Sequence, residues 1–192
     1  MIDKKYFNSI RNRLAGYIIR RRDIIKSAGD IQHWSKKSIF AIQRDDLVLA
    51  DELLAKAGQQ IKLLTKKYKT DAKVLSEGSY RACLEEYAEA VIMRQFISDK
   101  KIGRINGLDI DESTYISGLC DVPGELLRYA IKSATERDFA MVKKCFQTVQ
   151  EIINETLDMN LTGYNRQKFD QAKQALHKLQ QIFYEVSLKS AN

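Results

Sequence analysis

The sequence predicts an all-α, single-domain helical bundle. Only one proline and nine glycines occur among 192 residues. Strand-like alternation is absent, and apolar residues instead recur three and four positions apart. No run of about 18 or more apolar residues occurs, which argues against a membrane span. With 44% apolar residues, a chain of this length can bury a sizeable core. Residues 1–192 therefore read as one domain of about six to seven helices.

A first long helix is expected from Asp3 to Arg44, with Gly16 and Gly29 as weak points. A second covers Asp45 to Tyr68, with Leu47, Ala50, Leu54, Ala57, Ile61 and Leu64 at helical spacing. A third is expected from Asp71 to Ser98. The segment from Lys100 to Asp111 contains Gly103 and Gly107 and reads as a loop with room for one short helical turn. Ser113 or Thr114 is the expected cap of a fourth helix ending near Thr135. A fifth spans Asp138 to Met159, with Phe139, Val142, Phe146, Val149, Ile153 and Leu157 as its stripe. Gly163 marks a break before a sixth, Asn165 to Ser187, which carries Phe169, Ala172, Leu176, Leu179, Phe183 and Val186 on one face.

Pro123 falls inside the fourth helix and lacks the N–H that would bond the carbonyl of Leu119. An interior proline costs about 3 kcal/mol, and the following Gly124 about 1 kcal/mol more. A kink between Asp121 and Glu125 is the expectation. It either re-aims these two carboxylates or only shapes packing.

Charge and cysteine usage narrow the function classes. Residues 1–70 hold 16 Lys/Arg against 7 Asp/Glu, a net +9, whereas residues 71–192 sum to −2. A basic first third points to an anionic partner, nucleic acid first, against the plainer reading of a solvated helix face. Cys83, Cys120 and Cys145 are widely spaced and read as small buried thiols of a reduced, cytoplasmic chain. Met1-Ile2-Asp3-Lys4-Lys5 lacks the apolar run of a signal peptide. With no CxxC pair and only His33 and His177, zinc chemistry is a poor fit. Trp34 reads as an interface or core anchor rather than a base-stacking platform.

The chemistry-bearing pattern is two pairs of acids. Glu86 and Glu89 lie in Glu85-Glu86-Tyr87-Ala88-Glu89-Ala90-Val91, and Asp121 and Glu125 lie in Cys120-Asp121-Val122-Pro123-Gly124-Glu125. Spacings of three and four put each pair on one helix face. Both lie among apolar residues, where an ionised carboxylate needs a partner. One reading is ion pairing with Arg81, Arg94 or Arg128. The other is a shared hard cation, Mg²⁺ or Mn²⁺, for which carboxylate oxygens are suited. A phosphodiester substrate fits both that cation and the basic first third. A carboxylate left free of the metal could then orient or deprotonate water.

These residues resemble a known family. Glu86-Tyr87-Ala88-Glu89-Ala90-Val91 and Tyr115-Ile116-Ser117-Gly118-Leu119-Cys120-Asp121-Val122-Pro123-Gly124-Glu125-Leu126-Leu127-Arg128 resemble the signature segments of the translin family. The chain is most similar to the catalytic branch, translin-associated factor X, in a compact prokaryotic, chiefly archaeal form. Ser27-Ala28-Gly29-Asp30-Ile31 and Ser35-Lys36-Lys37-Ser38-Ile39-Phe40 resemble that family's first helix. The resemblance implies about seven helices assembling into a closed, octameric homo-oligomeric shell. It also implies Mg²⁺-dependent endonucleolytic cleavage of single-stranded RNA. The family's four acids map onto Glu86, Glu89, Asp121 and Glu125, as metal-binding and catalytic residues. Its RNA-binding residues map onto a region containing Arg20, Arg21, Arg22, Lys26, Lys36 and Lys37. Pro123 departs from the family pattern, and the loop from Lys100 to Ile110 is short.

Three function classes are thus in play. The leading one is a metal-dependent endoribonuclease. The second is a non-catalytic shell that binds single-stranded RNA or DNA, as translin proper does, with structural acids. The third is a helical adaptor for an acidic protein.

Overall fold

The computed structural model describes residues 1–190, which form seven helices and no strand. They are α1 (Lys4–Gln43), α2 (Leu47–Tyr68), α3 (Ala72–Leu75), α4 (Gly78–Ile97), α5 (Glu112–Thr135), α6 (Phe139–Leu157) and α7 (Gly163–Ser190). No helix among the described residues is long and apolar enough to cross a membrane.

Aspartate sets most of the helix starts. Asp3, Asp46, Asp71, Asp111 and Asp138 each accept a hydrogen bond from the backbone N–H three residues on. Each satisfies an orphan donor and places negative charge at the positive end of a helix dipole. The cap of α5 is therefore Asp111, not Ser113 or Thr114. Its carboxylate also takes the Thr114 hydroxyl at 2.6 Å.

The third expected helix is two. Glu77 adopts an extended conformation between α3 and α4, with φ −59° and ψ 133°. Its carboxylate accepts from the Tyr17 hydroxyl at 2.5 Å and from Arg21 Nε at 2.9 Å. These α1 contacts hold the residue out of helical geometry, and Gly78 begins the next helix. By contrast, α5 runs unbroken through Pro123, which is buried. The segment between α4 and α5 contains no helix.

Two buried clusters make up the interior. The first joins Ile24, Ala28, Ile31 and Ile39 of α1 to Leu54 and Ile61 of α2 and Cys83, Leu84 and Tyr87 of α4. The second joins Ile92, Met93 and Phe96 of α4 to Val122 and Leu126 of α5, Val149 of α6 and Leu179 of α7. Helix α4 contributes to both, so it must be apolar nearly all round, as its sequence is. Cys83, Cys120 and Cys145 are free and buried. Burial pushes their thiols up to about 12, 11 and 12, which removes them as nucleophiles. Trp34 is half-buried against the first cluster, with Lys56 Nζ 4.4 Å from its ring centroid.

The N-terminal end of α1 is the least covered part of the helix. No residue before Ile24 is buried, and the stretch from Lys4 to Gly16, ahead of the Tyr17 contact with Glu77, spans about 20 Å at 1.5 Å per residue. Tyr6, Phe7, Leu14, Ile18 and Ile19 are exposed ahead of Ile24.

Helices α4 and α5 meet at Gly118. A Cβ added there would lie 2.7 Å from the Glu85 carbonyl oxygen, 2.9 Å from Ala88 Cβ and 3.0 Å from the Glu89 nitrogen. Two of these are backbone atoms that cannot yield without moving α4. Gly118→Ala is expected to cost about 1–3 kcal/mol through overpacking. Gly124 has nothing within 4 Å of an added Cβ, so Gly124→Ala is expected to gain about 0.4–1 kcal/mol. Urea denaturation of both variants checks the pair; equal effects of the two would refute the close-approach argument.

Candidate active site

The α4–α5 contact brings the two acid pairs together. Glu86 and Glu89 come from α4, Asp121 and Glu125 from α5. Glu86, Glu89 and Glu125 line a cleft of about 300 Å³, together with Lys36, Ile39 and Phe40 of α1 and Arg128 of α5. Asp121 lies beside it, and its charge acts on Glu86, Glu89 and also Glu85.

Glu89 is the deepest member, only 8% exposed. Among the described residues no hydrogen bond or salt bridge reaches its carboxylate. Burial, reinforced by the charges of Asp121, Glu86 and Glu125, pushes its pKa up to about 9. It therefore holds a proton at neutral pH. Burial also raises Glu86, against the opposing pull of Lys36.

The other three acids each face a basic side chain. Lys36 Nζ is 3.6 Å from Glu86 Oε2. Arg128 donates to Glu125 Oε1 at 2.9 Å, and Gln43 donates to Glu125 Oε2 at 3.1 Å. Lys168 of α7 donates to Asp121 Oδ2 at 2.5 Å. Lys168 is disfavoured by burial, yet its pKa is raised because Asp121 and Tyr164 favour its charge. Tyr164, one turn earlier on α7, donates to Glu85 Oε2 at 3.2 Å.

Of the three arginines named as alternative partners, only Arg128 pairs with a site acid. Arg94 is held by Asp51 at 2.7 Å. Arg81 is exposed and makes no salt bridge among the described residues. Lys168, Tyr164, Gln43 and Phe40 were not singled out from the sequence as site residues. Nothing in the α7 pattern marks Lys168, which follows the helical period next to the buried Phe169.

The donor chemistry fits a hard divalent cation. All four acids offer oxygen, Glu89 is buried without a partner, and His33 and His177 are exposed on α1 and α7. Among the described residues, no three His, Cys, Asp or Glu side chains converge closely enough to enclose a cation as they stand. Lys36, Arg128 and Lys168 hold the acids instead.

The basic residues of α1 divide into two groups. Arg20 Nε pairs with Asp71 at 2.7 Å and Arg21 Nε with Glu77 at 2.9 Å, so both are tied to the start and end of α3. Arg22, Lys26 and Lys37 are exposed and make no salt bridge among the described residues. Their spacing, with His33, places them on one face of α1. Lys36, adjacent to that face, reaches the cleft.

Comparison with known proteins agrees with this architecture. The chain belongs to the translin family, whose pattern matches residues 19–190. Chicken (Gallus gallus) translin is 23% identical over 108 residues, which cover 54% of this chain and 47% of that protein. The match thus spans about half the length of that relative. The fold resembles the crystal structures of AfC3PO, with TM-score 0.89 and 21% identity over 97% of this chain and 100% of that one, and of apo-NeC3PO, with TM-score 0.85 and 20% identity over 97% and 98%. A structure of AfC3PO in complex with duplex RNA aligns with TM-score 0.86 and 20% identity over 97% and 99%.

The Glu89 carboxyl gives the site a pH signature. Its folded-state pKa of about 9 lies above the ordinary 4.5. Between these values the folded chain keeps a proton that the unfolded chain has released. The associated stability is full below about 4.5 and is lost as pH rises through about 9. In EDTA, Glu89→Gln is expected to gain stability relative to the native chain as pH rises from 5 to 9, as urea titrations at each pH would show. A pH-independent difference would contradict the burial of this acid.

Proposed function

We propose that this translin-family chain is a metal-dependent endoribonuclease that cleaves single-stranded RNA within a closed homo-oligomer. The observation that carries the reading is Glu89, a buried, unpartnered acid under the charges of three others at the floor of an open cleft. A carboxylate in that setting is costly to maintain unless it serves a cation or a proton transfer.

Glu86, Glu89, Asp121 and Glu125 would hold Mg²⁺ or Mn²⁺. When bound, the cation polarises a non-bridging phosphate oxygen and lowers the pKa of a coordinated water. This chain's residues supply the rest. Lys36 and Arg128, both lining the cleft, offer the scissile phosphate cationic contacts at its rim. A carboxylate of the set takes the proton of the attacking water as the new P–O bond forms and the sugar oxygen leaves. Arg22, Lys26 and Lys37 carry the strand along α1 toward the cleft. AfC3PO, a structural neighbour, has been seen with duplex RNA, which supports nucleic acid as the ligand here. The apolar N-terminal end of α1 offers a surface for a second copy, in keeping with a shell of eight.

A second reading has its own observation. Glu86, Asp121 and Glu125 all have basic partners within the chain. On this reading the acids serve the fold and the shell binds single-stranded RNA or DNA without turnover.

End-labelled single-stranded RNA, incubated with Mg²⁺ or EDTA after sizing of the protein, separates the two. Asp121→Asn and Glu125→Gln are each expected to lower cleavage at least about 100-fold while leaving assembly size unchanged. Cleavage in EDTA or undiminished activity of both variants would exclude the nuclease. Binding without cleavage would establish the non-catalytic shell.

Replacing Arg22, Lys26 and Lys37 together by Gln is expected to reduce the slope of log affinity against log salt by about 2, at about 0.7 per phosphate contact on a single strand. Gel shifts across a salt series measure this, and an unchanged slope would move the binding face elsewhere. No binding at low salt by the native chain would restore the adaptor reading.

A further inference from the structure

We propose that Lys168 is the resident counter-ion of the carboxylate site, and that a divalent cation enters by displacing its ammonium from Asp121. This rests on the metal-dependent reading above and adds a helix to it. Of the helices around the site, α7 contributes no acid to the four, yet it contributes a cation to them. Lys168 Nζ sits 2.5 Å from Asp121 Oδ2, with the two side chains 17% and 26% exposed. A salt bridge this sheltered is screened far less than a surface pair. The oxygen it occupies is one that a metal ion at the site would need.

The surroundings of Lys168 provide a second seat. Its Nζ lies 5.3 Å from the centroid of the Tyr164 ring, a distance at which an aromatic face attracts a cation. The Tyr164 hydroxyl in turn binds Glu85 Oε2 at 3.2 Å. Asp121 and Tyr164 thus flank one ammonium on a flexible stem, and its charge also acts on Glu85. When a divalent cation takes Asp121, the ammonium can turn to the ring and to Glu85 without leaving for solvent.

The exchange also explains why the four acids do not stand as a closed metal cage. Lys168 on Asp121, Lys36 on Glu86 and Arg128 on Glu125 each engage a carboxylate oxygen. Lys36 and Arg128 are half or more exposed, at 53% and 65%, and yield readily to solvent. Lys168 does not, so it sets the cation concentration at which the site fills.

Mn²⁺ binding to the assembled, RNA-free protein tests this, read by the loss of the free-ion electron paramagnetic signal. Lys168→Gln is expected to bind Mn²⁺ about tenfold tighter or more, because one positive charge is removed from beside the ion. Lys168→Arg should stay near the native affinity. With Asp121→Asn already present, Lys168→Gln should add little. In EDTA the Gln variant should melt at lower temperature, and Mn²⁺ should restore it. Native-chain binding with no gain in Lys168→Gln would overturn the counter-ion role alone. Absence of Mn²⁺ binding in both would overturn it together with the metal-dependent reading. A Gln variant that folds only with Mn²⁺ supports exchange, and one that folds in neither condition overturns it.

Discussion

The close approach of α4 and α5 at Gly118 is the constraint on which the rest of the site depends. A side chain there would drive into the backbone of α4 at Glu85 and Glu89. Only with a hydrogen at that position can the two helices come near enough for Asp121 and Glu125 to act on Glu89. Asp121 follows Gly118 by three positions and Glu125 by seven, so both continue along the same α5 face. Glu86 and Glu89 belong to the α4 segment that Gly118 touches. The spacing of the acids would place them as pairs in any helix. The glycine makes the pairs into a quartet.

A quartet of acids must then be neutralised, and the structure does so in two ways. Three members take one basic side chain each, from α1, α5 and α7. The fourth, Glu89, has no partner and keeps a proton instead. The basic groups come from different helices, so the charge balance ties α1 and α7 to the α4–α5 pair. Helix α7 packs on α5 through the second cluster, and Lys168 adds a polar tie at the edge of that contact. Electrostatics and packing here enforce the same arrangement. The arrangement is one that cation entry would loosen on the polar side while leaving the apolar core unaffected.

Much of this was legible in the residues. Apolar stripes located the long helices to within a few positions, because their period is a local property of the chain. The near-uniform apolarity of Ala88, Ala90, Val91, Ile92 and Met93 accords with the membership of α4 in both clusters. The break at Glu77 was not legible, since it is imposed by Tyr17 and Arg21, some 60 and 56 positions away in sequence. The cap of α5 was misplaced for a simpler reason. Asp111, Ser113 and Thr114 are all capping types, and the Thr114 hydroxyl is itself bound by Asp111. Pro123 interrupts the periodic pattern of its helix, yet α5 continues through it. Lys168 left no trace at all, because its meaning lies in a contact 47 residues distant.

The charge asymmetry of the chain acquires a spatial meaning through α1. This helix is 40 residues long, and its free basic residues and its cleft-lining residues lie along one rod. From Arg22 to Lys36 is 14 positions, or about 21 Å at 1.5 Å per residue. Arg22, Lys26 and Lys37 therefore lie on the same rod as Lys36 and Phe40, which line the cleft. The fixed pitch of a single helix sets the distance between these exposed basic residues and the acids. Asp71 and Glu77 hold Arg20 and Arg21 against the segment around α3. The same basic run thus does two things: it fixes the helix against the bundle on one side and leaves an open cationic track on the other. The track ends at carboxylates, which would repel a polyanion unless their charge were already balanced. On the proposed function, neutralisation of the quartet by Lys36, Arg128 and Lys168 would therefore matter as much to binding as it does to the fold.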